Sequence, residues 1–338
     1  ELTLATAAGR SPVQGFFDAV APIFTGNLVE AAQNTAHETR LHGVQLGPLV
    51  ISQARMTGGV FTYARDAQLI ARSGMDLIFV QIITRGHDLR LVGGREVRST
   101  PGDVFVADLT RPMRTQTSDC DNFSFVLPRA SFGLSEAELD GLHDRILPAH
   151  SAAAQVILGH VRMLWSQRQT IAPTEAAGLT QGTAGLLAGL LRGQPAAGPE
   201  GAPEANPVRY LQICQFIDAN LEAPDLGPDL LAARFGLSRA ALYRMFAGQE
   251  GVAGHIRDRR LRRAFRMLTA PGRVAVAQVG FACGFQSPSG FSRAFRARFG
   301  ITPGEAQEAA SLRALRQVTQ EGALLRSWLE LARLATPG

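Results

Sequence analysis

A pattern of apolar stretch, glycine and second apolar stretch occurs twice near the C-terminal end of the chain, over 229–246 and again over 276–295. The glycines are Gly236 and Gly284, and each is followed by an arginine two residues beyond an apolar anchor: Arg244 after Leu242, Arg293 after Phe291. The offset is 48 residues at the glycine and 49 at the arginine. So regular a repeat restricts this region to helical hairpins used in the same way. Glycine at the junction supplies the positive φ that a sharp reversal between helices needs. A hairpin of this kind is the frame in which the second helix enters a DNA major groove.

The two copies can be read residue by residue. In the first, Leu230, Leu231 and Phe235 form the inward stripe, Ser238 is an N-cap, and Leu242 and Phe246, four apart, share the buried face. This leaves Arg239, Ala240, Tyr243 and Arg244 pointing outward as candidate DNA-binding residues. In the second, Val276, Val279 and Ala282 pack inward, and Phe291, Phe295 and Phe299 make the buried ridge. Ser287 caps that helix and Pro288 opens it, where a missing N–H is harmless. Ser287, Pro288, Ser289 and Arg293 are the corresponding outward candidates. One such hairpin alone is as readily a structural element as a reading head; two with matched arginines favour reading. Between them, 253–269 reads as one basic amphipathic helix with an apolar stripe of Ile256, Leu261, Ala264, Phe265 and Leu268, ended by Pro271 and Gly272. About 17 helical residues span roughly 25 Å, enough to hold two heads about one DNA turn, roughly 34 Å, apart. Its arginines Arg257, Arg259, Arg262 and Arg263 are expected to act through phosphate, exposed backbone or packing, alike for all DNA sequences, with Arg257 counted among the DNA-binding candidates.

Residues 207–303 resemble the DNA-binding domain of the AraC/XylS family of bacterial transcriptional regulators. The resemblance rests on Arg260, Leu261 and Ala264 in the linking helix and on Val279, Gly280 and Phe281 before Cys283, Gly284 and Phe285. Phe291 to Phe295, closing on Phe299 to Pro303, completes it. His255 stands where the family often has Tyr, Ala253 and Gly254 replace a common Ser-Pro approach, and Gly304 to Ala306 replace an aromatic and basic ending. The resemblance implies base contacts by Ala240, Tyr243 and Arg244, then by Pro288, Ser289 and Arg293. The short side chains of Pro288 and Ser289 predict weaker readout by the second head. It also implies double-stranded promoter or operator DNA and RNA polymerase as partners, a homodimer, and activation more than repression.

Charge agrees. All 34 basic residues are arginine, and the whole chain carries a net +5. Over 206–303 there are 14 Arg against six acids, whereas 1–205 hold 16 against 19 and 304–338 balance at four each. The excess therefore coincides with the repeat, as expected of a phosphate-binding surface.

At 338 residues and 46% apolar composition the chain is long enough for about two cores. Residues 193–206, rich in Gly, Pro and Ala, read as a flexible linker. Before it, 49–56, 60–63, 77–83, 89–92 and 104–107 are short β-prone runs, separated by turn signals at Gly58-Gly59, Gly93-Gly94 and Pro101-Gly102-Asp103. Regular short strands with glycine turns suggest an antiparallel sandwich or barrel. Residues 99–108, within 27–129, resemble the cupin-like ligand-binding domain of the XylS-like branch of the same family. Ser135 to Glu138 form a capping box with helix expected through Leu147; further helices are expected over 153–165 and 176–191, to cover the barrel or pair across a dimer. The tail 306–334 is helical in pattern.

The expected fold class is thus α+β in two domains. A cupin-like β-barrel with flanking helices, 1–192, senses an effector and dimerises; a linker, 193–206, leads to an all-α domain with two helix-turn-helix motifs, 207–303; a helical extension fills 304–338. The alternative is a metal-dependent cupin enzyme fused to a DNA-binding domain. Metal cupins need His and carboxylates converging from facing strands, and His37, His42 and His87 are widely spaced, so no catalytic residue, metal or cofactor is expected. Cys120, Cys214 and Cys283 are too scattered for a zinc site or redox pair. A barrel without catalytic groups suits a small-molecule sensor, apolar inside with few polar anchors. Arg55, Tyr63, Arg65 and Gln81 are the candidate ligand-binding residues, an arginine being suited to a carboxylate. No apolar run reaches the roughly 18 residues of a membrane span, no charged-start secretory signal is legible, and three unpaired cysteines fit a reducing compartment; the expectation is cytoplasmic.

Overall fold

The computed structural model describes residues 2–3, 12–31, 38–92, 95–192, 207–246, 251–270 and 272–316. They form two compact units, one from the residues up to 134 with 141–192, the other from 135–140 with 207–316. The expected linker 193–206, the Gly93-Gly94 turn and the tail beyond 316 lie outside the described residues.

Among the described residues the first unit holds nine strands: β1 (Leu2–Thr3), β2 (Thr25–Ala31), β3 (Glu38–Leu46), β4 (Leu49–Arg65), β5 (Leu77–Val92), β6 (Arg95–Ser99), β7 (Val104–Asp108), β8 (Met113–Pro128) and β9 (Arg145–Leu147). All pairings are antiparallel, in the order β1-β3-β4-β8-β5-β7-β9, with β2 also on β4 and β6 also on β5. Three long strands turn this one sheet over on itself. The first half of β4 pairs with β3 and its second half with β2, while β5 changes from β7 to β6. β8 runs between β4 and β5 along both halves. The bends lie where the register breaks, between Met56 and Val60 and between Ile83 and His87. Gly58 (φ 83°), Gly86 (φ 76°) and Asp119 (φ 45°) supply the left-handed backbone there. The Gly58 N–H donates to Asp119 Oδ1 at 2.9 Å, tying two bends together. Such bulges bend a strand without ending it. The two halves close on a core that includes Phe17, Phe24, Phe61, Phe79 and Phe105.

Among the described residues five α-helices precede residue 193: α1 (Pro12–Val20), α2 (Ala67–Ser73), α3 (Glu136–Asp140), α4 (Ala152–Gln167) and α5 (Ala176–Arg192). The α3 segment belongs to the second unit. Its capping box forms as the sequence predicts, the Ser135 N–H donating to Glu138 Oε2 at 2.8 Å and the Glu138 N–H to Ser135 Oγ at 3.4 Å. The helix nevertheless ends at Asp140 instead of continuing to Leu147. Asp144 takes φ 60°, and 145–147 become β9, whose pairing with β7 prevails over local helical periodicity.

The second unit continues with α6 (Pro207–Ala219), α7 (Pro228–Phe235), α8 (Arg239–Met245), α9 (Gly251–Thr269), α10 (Val276–Ala282), α11 (Pro288–Phe299) and α12 (Pro303–Arg316). α7 and α8 enclose one core with α6, made of Ile213, Ile217, Leu231, Leu242, Phe246 and Ile256. Around α11, the Phe265 and Phe295 rings stack 5.8 Å apart and Phe299 lies 4.7 Å from Phe295. Each fully buried side chain of this size is worth about 1.5–3 kcal/mol. α9 packs against both hairpins and is the element that joins them.

Candidate nucleic-acid interface and ligand cavity

Each hairpin is built as the sequence spacing predicts. Gly236 (φ 59°) ends α7, and the Ser238 hydroxyl accepts the Ala241 N–H at 3.1 Å to start α8. In the second copy Gly284 (φ 77°) makes the turn, and Ser287 accepts the Gly290 N–H at 3.2 Å with Pro288 at the start of α11. A Cβ at Gly284 would lie 2.5 Å from the Leu221 carbonyl and 2.8 Å from the Arg260 guanidinium. That close approach lets Arg260 donate to Leu221 O at 2.9 Å and Ala223 O at 2.7 Å, so this arginine braces the loop after α6.

Leu242, Phe246, Phe291 and Phe295 are buried, which turns the opposite faces of α8 and α11 outward. Arg239, Ala240, Tyr243 and Arg244 are exposed, as are Ser287, Pro288, Ser289 and Arg293. Arg244 and Arg293 make no ion pair among the described residues. Arg239 instead pairs with Asp229, and with both groups exposed that pair contributes little. Arg257 is exposed on α9.

The remaining arginines of α9 behave differently from one another. Arg259 is buried; its Nε donates to Asp218 Oδ1 at 2.6 Å, and its Nη1 pairs with Asp140. Burial alone would lower its pKa, but Asp140 and Asp218 hold it above the ordinary arginine value. Arg262 reaches Asp140 at 2.5 Å and also pairs with Asp258, which Arg298 meets at 2.5 Å. Arg263 pairs with Glu222, and Arg266 with Glu136. Much of the basic excess on α9 is therefore neutralised inside the unit, partly by α3, a segment distant in sequence that no local pattern could reveal as its partner. Arg259 and Arg262 are thus engaged in ion pairs inside the unit, a packing role among the three (phosphate, exposed backbone or packing) expected of the α9 arginines.

In the first unit a cavity of about 80 Å³ opens between the two halves of the folded sheet. Its wall includes apolar side chains, among them Phe16, Ile23, Phe24, Phe79 and Met113, and polar ones, among them Ser52, Gln81, Arg90, Thr115, Thr117 and Asn122. Of the four ligand-binding candidates, Tyr63 and Gln81 line this cavity, whereas Arg55 and Arg65 do not. Arg55 is on the outer surface, gripping Asp121 at 3.0 Å together with Arg85 at 3.1 Å. Partial burial opposes ionisation of Asp121, but the two arginines hold its pKa below the ordinary value. Arg65 is buried and clamps three segments: Nε donates to Leu109 O at 2.6 Å, Nη1 to Ile23 O at 2.8 Å and Nη2 to Ser73 Oγ at 2.8 Å. Burial draws its pKa down to about 9.

Arg90, absent from the sequence candidates, is the buried arginine of the cavity wall. Its Nη2 lies 2.5 Å from the Asp88 carboxylate and 2.8 Å from Gln81 Oε1, its Nη1 3.1 Å from Ser99 Oγ, and its guanidinium 3.3 Å above the Phe105 ring. Desolvation pushes the Asp88 pKa up and the Arg90 pKa down, each opposed by the other's charge. Burial raises Cys120 and Cys214 to about 12 and Cys283 to about 11, so all three remain thiols at neutral pH. Among the described residues no three His, Cys, Asp or Glu side chains converge as a metal site. No described helix is long and apolar enough to cross a membrane.

Comparison with known proteins gives two family matches. The family model of the AraC-binding-like domain matches residues 16–192, just over half of the chain, and that of a helix-turn-helix domain matches 231–309. The HTH-type transcriptional regulator ArgR of Pseudomonas aeruginosa is 35% identical over 96 residues, which are 28% of this chain and 29% of ArgR. The chain thus matches less than a third of that relative's length. Among solved structures, the AraC-like transcriptional activator CuxR is 21% identical, with 73% of this chain and 88% of CuxR covered at a TM-score of 0.47. ToxT from Vibrio cholerae is 11% identical, covering 81% of this chain and 98% of ToxT at a TM-score of 0.39.

Proposed function

Because this chain belongs to the AraC family of DNA-binding transcriptional regulators with an N-terminal ligand-binding domain, we propose that it reads a bipartite promoter site with α8 and α11 under the control of a small molecule held in the folded sheet. The observation that carries the reading is the pair of exposed arginines, Arg244 and Arg293, at matching positions of two capped helices whose other faces are buried. Arginine at such a position offers a bidentate contact to guanine, the commonest specific contact in the major groove. Arg239, Ala240, Tyr243, Ser287, Pro288 and Ser289 complete the two reading faces, and Arg257 adds a phosphate contact. Pro288 and Ser289 present little side chain, which assigns most base selectivity to α8. Activation, contact with RNA polymerase, a homodimer and a cytoplasmic location follow the habit of the family and extend this reading. The alternative, a metal-dependent cupin enzyme, has no support in the family matches.

Selection of duplexes from a random pool by the full chain, followed by footprinting, tests the proposal. It predicts two protected stretches about one helical turn, roughly 10 base pairs, apart. Enrichment of no sequence, or protection over a single short stretch, would contradict it.

A further inference from the structure

The first hairpin carries an acid–arginine pair that the second lacks, and its consequence rests on the DNA-reading proposal above. Arg239 opens α8, and Asp229 lies in the first turn of α7, the helix before it. The Arg239 Nε donates to Asp229 Oδ1 at 2.5 Å, and Nη2 pairs with the same oxygen. That hydrogen bond first, and the carboxylate charge second, raise the Arg239 pKa above the ordinary arginine value. Arg239 Nη1 and Asp229 Oδ2 have no partner among the described residues.

The pair does little for the fold. Its side chains are 66% and 73% exposed, and water and salt screen an ion pair held so far out. Nor does the repeat require it. With offsets of 48 residues at the turn glycine and 49 at the cap serine, the counterparts of Asp229 and Arg239 are Ala277 and Pro288. The second hairpin has neither the acid nor the cation.

What the pair does is divide the guanidinium, a planar fork with five N–H donors. Asp229 holds the side edge through Nε and Nη2. This leaves the end of the fork, Nη1 with the remaining N–H of Nη2, for a second bidentate partner. Guanine O6 and N7 are such a partner in the major groove, where the residues that open a reading helix meet base edges. The same carboxylate repels phosphate, which withholds Arg239 from the sequence-independent contacts that an unpaired arginine makes. One turn on, Tyr243 shares this face of α8. A Cβ added at Gly251 would lie 3.0 Å from the Tyr243 ring, so that side chain is braced as well.

We propose that Asp229 is a positioning residue for base recognition, which fixes the Arg239 fork for one guanine and keeps it off the phosphates.

Competition binding of the full chain to its selected duplex and to all single-base variants tests this, with Arg239→Ala marking the base pair that Arg239 reads. Wild type is expected to prefer guanine there by at least about tenfold. Asp229→Asn, which keeps shape and removes charge, is expected to cut that preference to about threefold or less and to leave other positions unchanged. It is also expected to tighten binding to a scrambled duplex several-fold and to steepen its salt dependence by about one counterion. In the Arg239→Ala background, Asp229→Asn is expected to alter no base preference. Arg239→Lys, which keeps the charge and loses the fork, is expected to lose the guanine preference with Asp229 in place. A merely structural role for Asp229, at the positive end of α7, would lower the urea midpoint and weaken all duplexes alike. That result, an unchanged guanine preference in Asp229→Asn, or an Arg239→Ala profile that marks no base pair would each overturn the proposal. Failure of wild type to select any sequence removes the reading proposal itself. Selection that Asp229→Asn leaves intact at every base removes only the role of Asp229.

Discussion

Arg244 and Arg259 carry the same charge within one basic segment of the chain, yet their surroundings give them opposite duties. Arg244 is exposed on α8 and makes no ion pair among the described residues. Arg244→Ala is expected to cost about 1–3 kcal/mol at the selected site and to relax preference at one base step; competition binding against single-base variants of the site measures this, and a uniform loss would refute base reading. His255 offers a second check through acid. Burial first, then the charge of Arg259, lowers its pKa to about 4, against 6.5 in an unfolded chain. It is neutral in the fold, so its contribution is intact above pH 6.5 and is lost as the pH falls from 6.5 toward 4, by up to about 1.4 kcal/mol per pH unit. Urea unfolding of wild type and His255→Tyr at pH 7 and pH 5 is expected to show a smaller acid loss in the variant; equal losses would exclude His255 as the cause.

At the scale of elements, two devices determine how the segments assemble. The first is the set of bends in β4, β5 and β8. Gly86→Ala would place a Cβ against the Asp119 carbonyl at φ 76°, where the backbone conformation alone costs a non-glycine residue about 1–3 kcal/mol; a urea midpoint equal to that of wild type would show that the bend tolerates a side chain. The second is the carboxylate clasp on α9. Arg259→Ala leaves Asp140 and Asp218 without their buried partner and is expected to destabilise the helical unit by about 3–5 kcal/mol, read by denaturant unfolding. Legibility differs between these devices for a physical reason. Caps, turns and apolar stripes act over three or four residues, so Ser238, Gly236, Ser287 and Gly284 were readable from spacing. Gly58-Gly59 looked like a turn between strands because a bulge and a hairpin use the same residue. β8 is not legible in the sequence because Thr115 to Ser118, in its first half, are all polar: Thr115 and Thr117 line a cavity that only the folded sheet creates, and Gln116 is exposed. For the same reason Arg90 and Thr117 were missed, while Tyr63 and Gln81 fell on strands already recognised. Arg55 and Arg65 could not be distinguished from cavity residues without their partners, Asp121 and the carbonyls of Ile23 and Leu109.

For the whole molecule, the uneven charge is the feature that ties sequence to role. The segment 206–303 holds 14 of the 34 arginines against six acids, but several of those arginines serve internal pairs, which leaves a smaller set to meet phosphate. DNA affinity is therefore expected to depend on salt less steeply than the arginine count suggests, with selectivity arising from the two reading faces. Fluorescence anisotropy of the full chain on its selected duplex and on a scrambled duplex, from low to moderate salt, is the most direct test. A preference of about a thousandfold that persists as salt rises is the predicted result. Equal and steeply salt-dependent binding to both duplexes would contradict sequence-specific reading by α8 and α11.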